Sequence, residues 1–179
     1  MKKVISLALV LCLAMGICTL FAGCSATGRV TYLNAIPEAD AAWTELALNY
    51  RKETGVSVSI ISVPQDRYDE SLLAYMASLS PVSMYHVNTD KLLDDYQDFL
   101  FNLSGTGVEA ALADDSFSVR DHRDKLLAVG FGEDCRIAVN GKAAKDDVEA
   151  TVAFLSWVMT SPEGKELLKT YYGAVAIGE

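Results

Sequence analysis

Three strand-like segments alternate with helix-like segments in the first half of the chain, and this alternation restricts the fold more than any other feature. The strands are predicted at residues 29–34, 56–60 and 82–87, where apolar residues alternate or form short runs. Two amphipathic helices are predicted between them, from Pro37 to Gly55 and from Asp66 to Leu79. This strand–helix order is typical of an α/β fold, because each helix returns the chain to the same edge of a parallel sheet.

The second half of the chain predicts fewer and shorter elements. They are a helix from Thr89 through Tyr96, a short helix at 108–112, strands at 126–129 and 136–139, a helix from Asp146 or Asp147 through Met159, and a helix from Pro162 towards Tyr171. We therefore expect one α/β lobe at 29–179, with a front segment at 29–125 and a return segment at 126–179. Its sheet is predicted to be mostly parallel, with helices on both faces. The expected core contains Trp43, Leu46, Val58, Ile60, Leu72, Met84, Val152 and Leu155.

The first residues have the features of a secretory signal. Lys2 and Lys3 precede an almost wholly apolar run at 4–20, and Phe21-Ala22-Gly23 leads into Cys24. The small residues before Cys24 resemble the bacterial lipobox, which predicts a signal peptide at 1–23 and a lipid on Cys24. The alternative is a transmembrane anchor, since about 20 apolar residues can span a bilayer. Residues 24–28 are typical of a lipidated tether and not of a stop-transfer sequence, which favours cleavage.

The charge and the cysteines limit the partners and the redox chemistry. Loss of Lys2 and Lys3 with the leader changes the formal charge from −9 to −11. Such an acidic chain is not expected to bind nucleic acid or to adhere electrostatically to anionic lipid, so acyl chains would provide the membrane attachment. Of four cysteines, only Cys135 is neither in the leader nor at the lipidation position, and a lone thiol forms no internal disulfide. A packed strand cysteine is favoured over a nucleophile.

No pattern in the sequence predicts catalysis, a metal or a cofactor. The two histidines, His86 and His122, form no metal-binding pair, and no nucleophile motif is present. Gly130 and Gly132 lack the third glycine and the helix of a dinucleotide site, so they indicate a turn. No segment has the oxygen ligands of a calcium loop. A hydrolase is therefore the least favoured class of function.

Four blocks of the sequence resemble extracellular solute-binding proteins of the sugar ABC-transport type. They are Arg-Lys-Glu-Thr-Gly-Val-Ser-Val at 51–58, the helix at 68–79, the segment Met84–Asn88, and Ala-Phe-Leu-Ser-Trp at 153–157 followed by Thr-Ser-Pro-Glu-Gly at 160–164. The last block is the most specific. The resemblance implies a periplasmic-binding-protein-like lobe, a sugar or oligosaccharide ligand and an ABC-transporter permease as partner. It also implies a lipid-anchored position on the extracytoplasmic face of a Gram-positive cell membrane.

The chain also departs from that family, whose members are much longer and close two lobes around a ligand. Here the front and return segments match parts of one lobe, and nearly all of the second lobe is missing. We therefore expect a shortened solute-binding protein with weak or lost ligand affinity. The alternative is a surface interaction module that keeps a binding-protein lobe but takes no part in transport.

Candidate ligand-binding residues follow the predicted strands. In open parallel sheets, ligands bind beyond the carboxyl ends of the strands. Asn34 ends the first strand, Tyr68 follows the second, and Tyr85 and Asn88 lie at the end of the third. The resemblance places sugar-contacting groups at these strand ends, where amides bond hydroxyls and aromatic faces cover sugar rings. Glu133 is a further candidate.

Overall fold

The computed structural model describes residues 28–87, 95–112, 118–132 and 135–173. Within these ranges the strands are β1 (Val30–Asn34), β2 (Val58–Ser62), β3 (Met84–Val87), β4 (Ser118–Arg120), β5 (Leu126–Gly130) and β6 (Arg136–Val139). The α-helices are α1 (Asp40–Thr54), α2 (Tyr68–Met76), α3 (Gly107–Ala110), α4 (Lys145–Thr160) and α5 (Pro162–Tyr172). Short 3-10 helices occupy Pro37–Ala39, Gln65–Arg67 and Gln97–Phe99.

The described strands form one six-stranded sheet in the order β2-β1-β3-β6-β5-β4. β1 runs parallel to β2 and to β3, whereas β3–β6, β6–β5 and β5–β4 are antiparallel pairs. The α/β class is confirmed, but the sheet is mixed and not mostly parallel as expected. The reason is the length of the links at 121–125 and 131–135, since a parallel crossover needs a dozen or more residues.

Helices cover both faces of the sheet, as predicted. On one face, α1, α4 and α5 enclose a core that includes Trp43 and Phe154. On the other face, Leu72 and Met76 of α2 pack in a second cluster with Tyr85. Successive residues of β1 and β3 point into opposite clusters, as the alternation of side chains along a strand requires.

Most of the predicted core is confirmed. The residues that are buried as expected are Trp43, Leu46, Leu72, Met84 and Leu155. Val58, Ile60 and Val152 are only partly buried and pack against the first cluster. Val58 and Ile60 are more exposed because β2 forms an edge of the sheet and has no strand on its outer side.

Several element boundaries differ from the sequence prediction. β2 begins two residues later than expected, at Val58, and α2 runs from Tyr68 to Met76 instead of from Asp66 to Leu79. No side chain caps α2, because a 3-10 turn leads into it directly. The three-residue β4 was not predicted, since Ser-Val-Arg carries too little pattern to indicate a strand. The helix expected from Thr89 lies mainly outside the described residues.

Local geometry explains the Thr-Ser-Pro-Glu-Gly block between α4 and α5. The Ser161 hydroxyl accepts a 3.1 Å hydrogen bond from the Gly164 N–H, and Pro162 occupies the first turn of α5. A Cβ atom on Gly164 would collide with the Val158 carbonyl of the preceding helix. The sequence therefore specifies an N-cap and a close approach of the two helices.

Cys135 is a buried, neutral thiol, as predicted. Its side chain lies in the first core cluster, immediately before β6. Burial raises its pKa to about 12, although the neighbouring Arg136 acts in the opposite direction. A thiol in this state packs as a small apolar group and is a poor nucleophile.

Candidate functional site

Several strands end together at one edge of the sheet, which we call the carboxyl edge. The parallel strands β1, β2 and β3 place Asn34, Ser62 and Val87 there. β5 runs in the same direction as β3, because both are antiparallel to β6, and so Gly130 ends at this edge too. In open α/β sheets this is the edge at which ligands bind.

Asn34 lies at the carboxyl edge, but its side chain is fully buried. The amide nitrogen donates to the Ile36 carbonyl at 2.7 Å and to the Ser62 hydroxyl at 2.9 Å. The amide oxygen accepts from the Ile36 N–H at 3.1 Å, which completes an Asx turn at the end of β1. These contacts give the Asn34 side chain a structural role within the protein.

A polar network extends from Asn34 in two directions, and the sequence did not indicate it. Ser62 donates to an Asp40 carboxylate oxygen at the start of α1. On the other side, the Tyr172 hydroxyl accepts from the Trp43 indole N–H at 2.7 Å and lies 3.5 Å from the Asn34 oxygen. The network connects β1, β2, α1 and α5 beneath the carboxyl edge. Its residues are far apart in the sequence, so no local sequence pattern indicates that they are in contact.

Tyr68 is also buried inside the protein. Its hydroxyl donates to the Leu33 carbonyl at 3.0 Å and accepts from the His86 N–H at 2.8 Å. One hydroxyl therefore bridges β1 and β3 where their direct pairing has ended. Burial raises the pKa of Tyr68 well above its usual value, so it stays a neutral hydrogen-bonding group.

Tyr85 is fully buried in the second core cluster and packs near Tyr96, with ring centroids 6.1 Å apart. Among the described residues its hydroxyl has no hydrogen-bond partner. Burial raises its pKa, with a smaller contribution from Tyr96. Tyr85 thus differs from Tyr68, whose hydroxyl both donates and accepts a hydrogen bond.

The remaining predicted residues, Cys24, Asn88 and Glu133, lie outside the described residues. The carboxyl edge brings Asn34, Tyr68 and Tyr85 close together in the fold, yet all three are buried. Sugar contact by any of these residues stays a prediction.

Other residues present exposed polar and aromatic surface near the carboxyl edge. Gln65, Asp66 and Arg67 follow β2 in an exposed 3-10 turn, and Glu38 follows β1. Tyr171 at the end of α5 is 39% exposed, and the adjacent Tyr172 backbone lies against Gly132. The sequence predicted Tyr68 in this region but not Tyr171, because the pattern of its helix gives no signal that it ends near the strands.

The described residues contain no group of three histidine, cysteine, aspartate or glutamate side chains that could hold a metal ion. Within the same ranges, no helix is long and apolar enough to cross a membrane.

Comparisons with known proteins give matches among solved structures. No protein-family model and no curated protein sequence matches the chain. Solved structures do match. Apo RafE from Streptococcus pneumoniae has 16% identity over 63% of this chain and 29% of its own, with a TM-score of 0.48. An extracellular solute-binding protein from Staphylococcus aureus in complex with maltose has 13% identity over 57% and 28%, with a TM-score of 0.48.

A further match is the GacH receptor of Streptomyces glaucescens, with 23% identity over 57% of this chain and 28% of its own, and a TM-score of 0.45. These matched structures are solute-binding proteins and not enzymes. They belong to the class that the sequence resembles. TM-scores below 0.5 describe a likeness and establish no common activity. The chain spans only 28–29% of the length of these three structures.

Proposed function

We propose that this chain is a surface-anchored solute-binding lipoprotein of a carbohydrate ABC importer. The main supporting observation is the shared carboxyl edge of β1, β2 and β3, which is the ligand edge in open α/β sheets. The Thr-Ser-Pro-Glu-Gly block supports the same proposal, since its capped helix junction is the most specific part of the family resemblance. The partners in this proposal are a sugar, a permease and the extracytoplasmic membrane face.

Within this proposal, the buried network shapes the edge and the loops above it meet the solute. Asn34 and Tyr68 use their polar atoms inside the protein. We therefore propose that their effect on sugar affinity is indirect, through the positions of the turns at 35–39 and 64–67. Asn88 and Glu133 are proposed as direct contacts, together with the exposed Gln65–Arg67 turn.

A site that contacts its ligand from one side only has limited affinity. Strong small-molecule sites enclose about 70–90% of their ligand, whereas a single sheet edge covers one side of it. A loss of about 4 kcal/mol changes a micromolar dissociation constant to a millimolar one. We therefore propose that the chain by itself binds sugars weakly, at about millimolar concentrations.

Titration calorimetry with maltose and raffinose tests the binding proposal. We expect weak saturable heats that decrease when Gln65 and Arg67 are both changed to Ala. The matched control is Asn49→Ala on α1, which should leave the heats unchanged. Submicromolar binding to the monomer would contradict the proposal that contact from one side gives only weak affinity. If neither sugar gave any heat up to high millimolar concentration, the sugar-binding proposal itself would be contradicted.

Metabolic labelling with a fatty acid tests the membrane anchor. The proposal places the lipid on Cys24, so wild-type protein should incorporate label and Cys24→Ala should not. Cys135→Ala is the matched control, because this buried cysteine should not affect lipidation. Equal incorporation in wild type and Cys24→Ala would exclude the lipid anchor at Cys24.

A further inference from the structure

Two adjoining pockets with mainly apolar linings lie along one side of α4, and together we call them the groove. Its larger part has a volume of about 620 Å³ and is lined by apolar and small residues that include Phe101, Val152, Ala153, Ser156 and Trp157. A second part, of about 380 Å³, shares Phe101 and Glu149 with the first and extends to Lys145 at the start of α4. The two parts together follow the helix along its full length.

The α4 side of this groove is one stripe of the helix. The residues that line it are Lys145, Val148, Glu149, Val152, Ala153, Ser156, Trp157 and Thr160. This spacing of three and four residues defines a single helical face. The only charged members are Lys145 and Glu149, which pair at 3.6 Å in the first turn. Beyond this pair, the stripe is uncharged, and the 16-residue helix gives it a length of about 24 Å.

The N-terminal segment of the chain enters the structure beside the start of this stripe. Gly28 packs so closely on the backbone of Asp146 and Asp147 that a Cβ atom would collide with it. The Arg29 N–H also donates to the Asp147 carboxylate at 2.8 Å. The first described residue is therefore held within one turn of Lys145.

The distance from Cys24 to the groove is short. Four residue steps separate Cys24 from Gly28, and an extended chain covers at most about 14 Å in four steps. Gly28 lies against Asp146, which directly follows Lys145 in α4. Neighbouring positions on a helix surface are separated by an arc of about 10 Å, so a lipid on Cys24 can reach the Lys145 end of the groove.

We propose that this groove holds an acyl chain carried by Cys24 when the lipoprotein is away from a bilayer. The inference rests on the lipid anchor in the proposed function. The groove is mainly apolar and elongated, and one end lies near the tether, which matches a long hydrocarbon chain and not a sugar. Lys145 lies at the end of the groove nearest the tether and is exposed, so the polar glyceryl end of the lipid would stay in water there.

Photo-crosslinking on the full chain made in living cells tests the proposal. The probe is a diazirine-bearing fatty acid that the cells attach to the protein, which is then extracted and transferred to detergent-free buffer. Ultraviolet light should crosslink the acyl chain to the peptide that contains residues 148–160. We expect Ala153→Glu to reduce this crosslink at least tenfold, because it places a charge on the exposed wall of the groove.

Two further variants control this result. Ala74→Glu makes the same change at an exposed position of α2, outside the groove, and should retain the crosslink. Ala153→Trp fills the groove without adding charge and should also reduce the crosslink, which covers the case in which Ala153→Glu fails to fold. Incorporated label that crosslinks elsewhere, or equally in all variants, would overturn the groove assignment alone. Absence of label on the protein would overturn both the groove assignment and the lipid anchor.

Discussion

The side-chain amide of Asn34 donates a 2.9 Å hydrogen bond to the hydroxyl of Ser62, its direct partner across the parallel strands β1 and β2. Ser62 in turn donates to Asp40 at the start of α1. The last residues of two strands are thereby fixed to each other and to the helix that leaves this edge. The carboxyl edge is therefore positioned by the buried network and not by its loops alone.

Asn34→Ala should destabilise the protein by about 1–3 kcal/mol, the usual cost of leaving buried polar partners unsatisfied. The variant removes the acceptor of the Ile36 N–H and the donor to Ser62. Urea unfolding measures the change. Asn49→Ala on α1 is the matched control, because this half-buried side chain accepts an exposed 3.4 Å hydrogen bond from Lys52, whose loss should change stability by about 0.5 kcal/mol or less. Equal effects of the two changes would show that the network adds no stability.

The sequence predicted Asn34 as a ligand contact because it ends a strand of a parallel sheet, where ligands bind. Nothing in the local sequence indicates that Tyr172, 138 positions away, approaches its side-chain oxygen. The same limit applies to Tyr68, whose partners lie on β1 and β3. Strand and helix order follows from periodicity, whereas the burial of a polar side chain depends on contacts between distant segments.

The direction of the later strands was available from the sequence. The predicted strands at 126–129 and 136–139 leave too few residues between them for a crossover, and this spacing indicates an antiparallel pair, which we did not predict. The expectation of a mostly parallel sheet came instead from the strand–helix alternation in the first half of the chain. The position of β6 beside β3, by contrast, could not be read from spacing, because several sheet orders are compatible with short hairpins.

Tyr68→Phe and Tyr85→Phe should have opposite outcomes, although both remove one buried hydroxyl. Tyr68→Phe leaves the Leu33 carbonyl and the His86 N–H without their partner and should cost about 1–3 kcal/mol. Tyr85→Phe removes a hydroxyl without a partner in the described structure and should be neutral or slightly stabilising. Thermal and urea unfolding measure both variants. A large loss for Tyr85→Phe would mean that its hydroxyl has a partner elsewhere in the chain.

Leu155→Ala should destabilise the fold by about 2–5 kcal/mol, because Leu155 is fully buried between α4 and the sheet. The matched control is Leu73→Ala on α2, where the side chain is 59% exposed and little packing is lost. The two midpoints in urea should therefore differ clearly at a similar slope. A loss below about 0.5 kcal/mol at Leu155 would show that α4 does not pack on the sheet as described.

Gly164→Ala should be more damaging than Ser161→Ala, although Ser161 provides the cap of α5. Loss of the cap costs about 1 kcal/mol, since it removes one hydrogen bond to the Gly164 N–H. The added methyl group at Gly164 meets the Val158 carbonyl, and backbone atoms can relieve that collision only if α5 shifts. Unfolding curves of the two single variants test this order. The reverse order would show that the helices are not in close contact at Gly164.

The stability that Cys135 contributes should decrease as the solution becomes alkaline. Burial raises the pKa of the folded thiol to about 12, whereas an unfolded cysteine titrates near 8.5. Below about pH 8.5 the thiol is protonated in both states, so its contribution is complete. Between these two pKa values the unfolded state alone loses its proton, and the free energy of unfolding falls by up to about 1.4 kcal/mol per pH unit.

Cys135→Ala isolates this effect, because the tyrosines and lysines that titrate in the same range are present in both proteins. The wild-type free energy of unfolding minus that of the variant, from urea titrations between pH 7 and pH 10, should be constant up to about pH 8 and then decrease. A difference that stays constant to pH 10 would show that the thiol ionises equally in the folded and unfolded states. The buried position of Cys135 would then be wrong, because a thiol without water around it cannot keep an ordinary pKa.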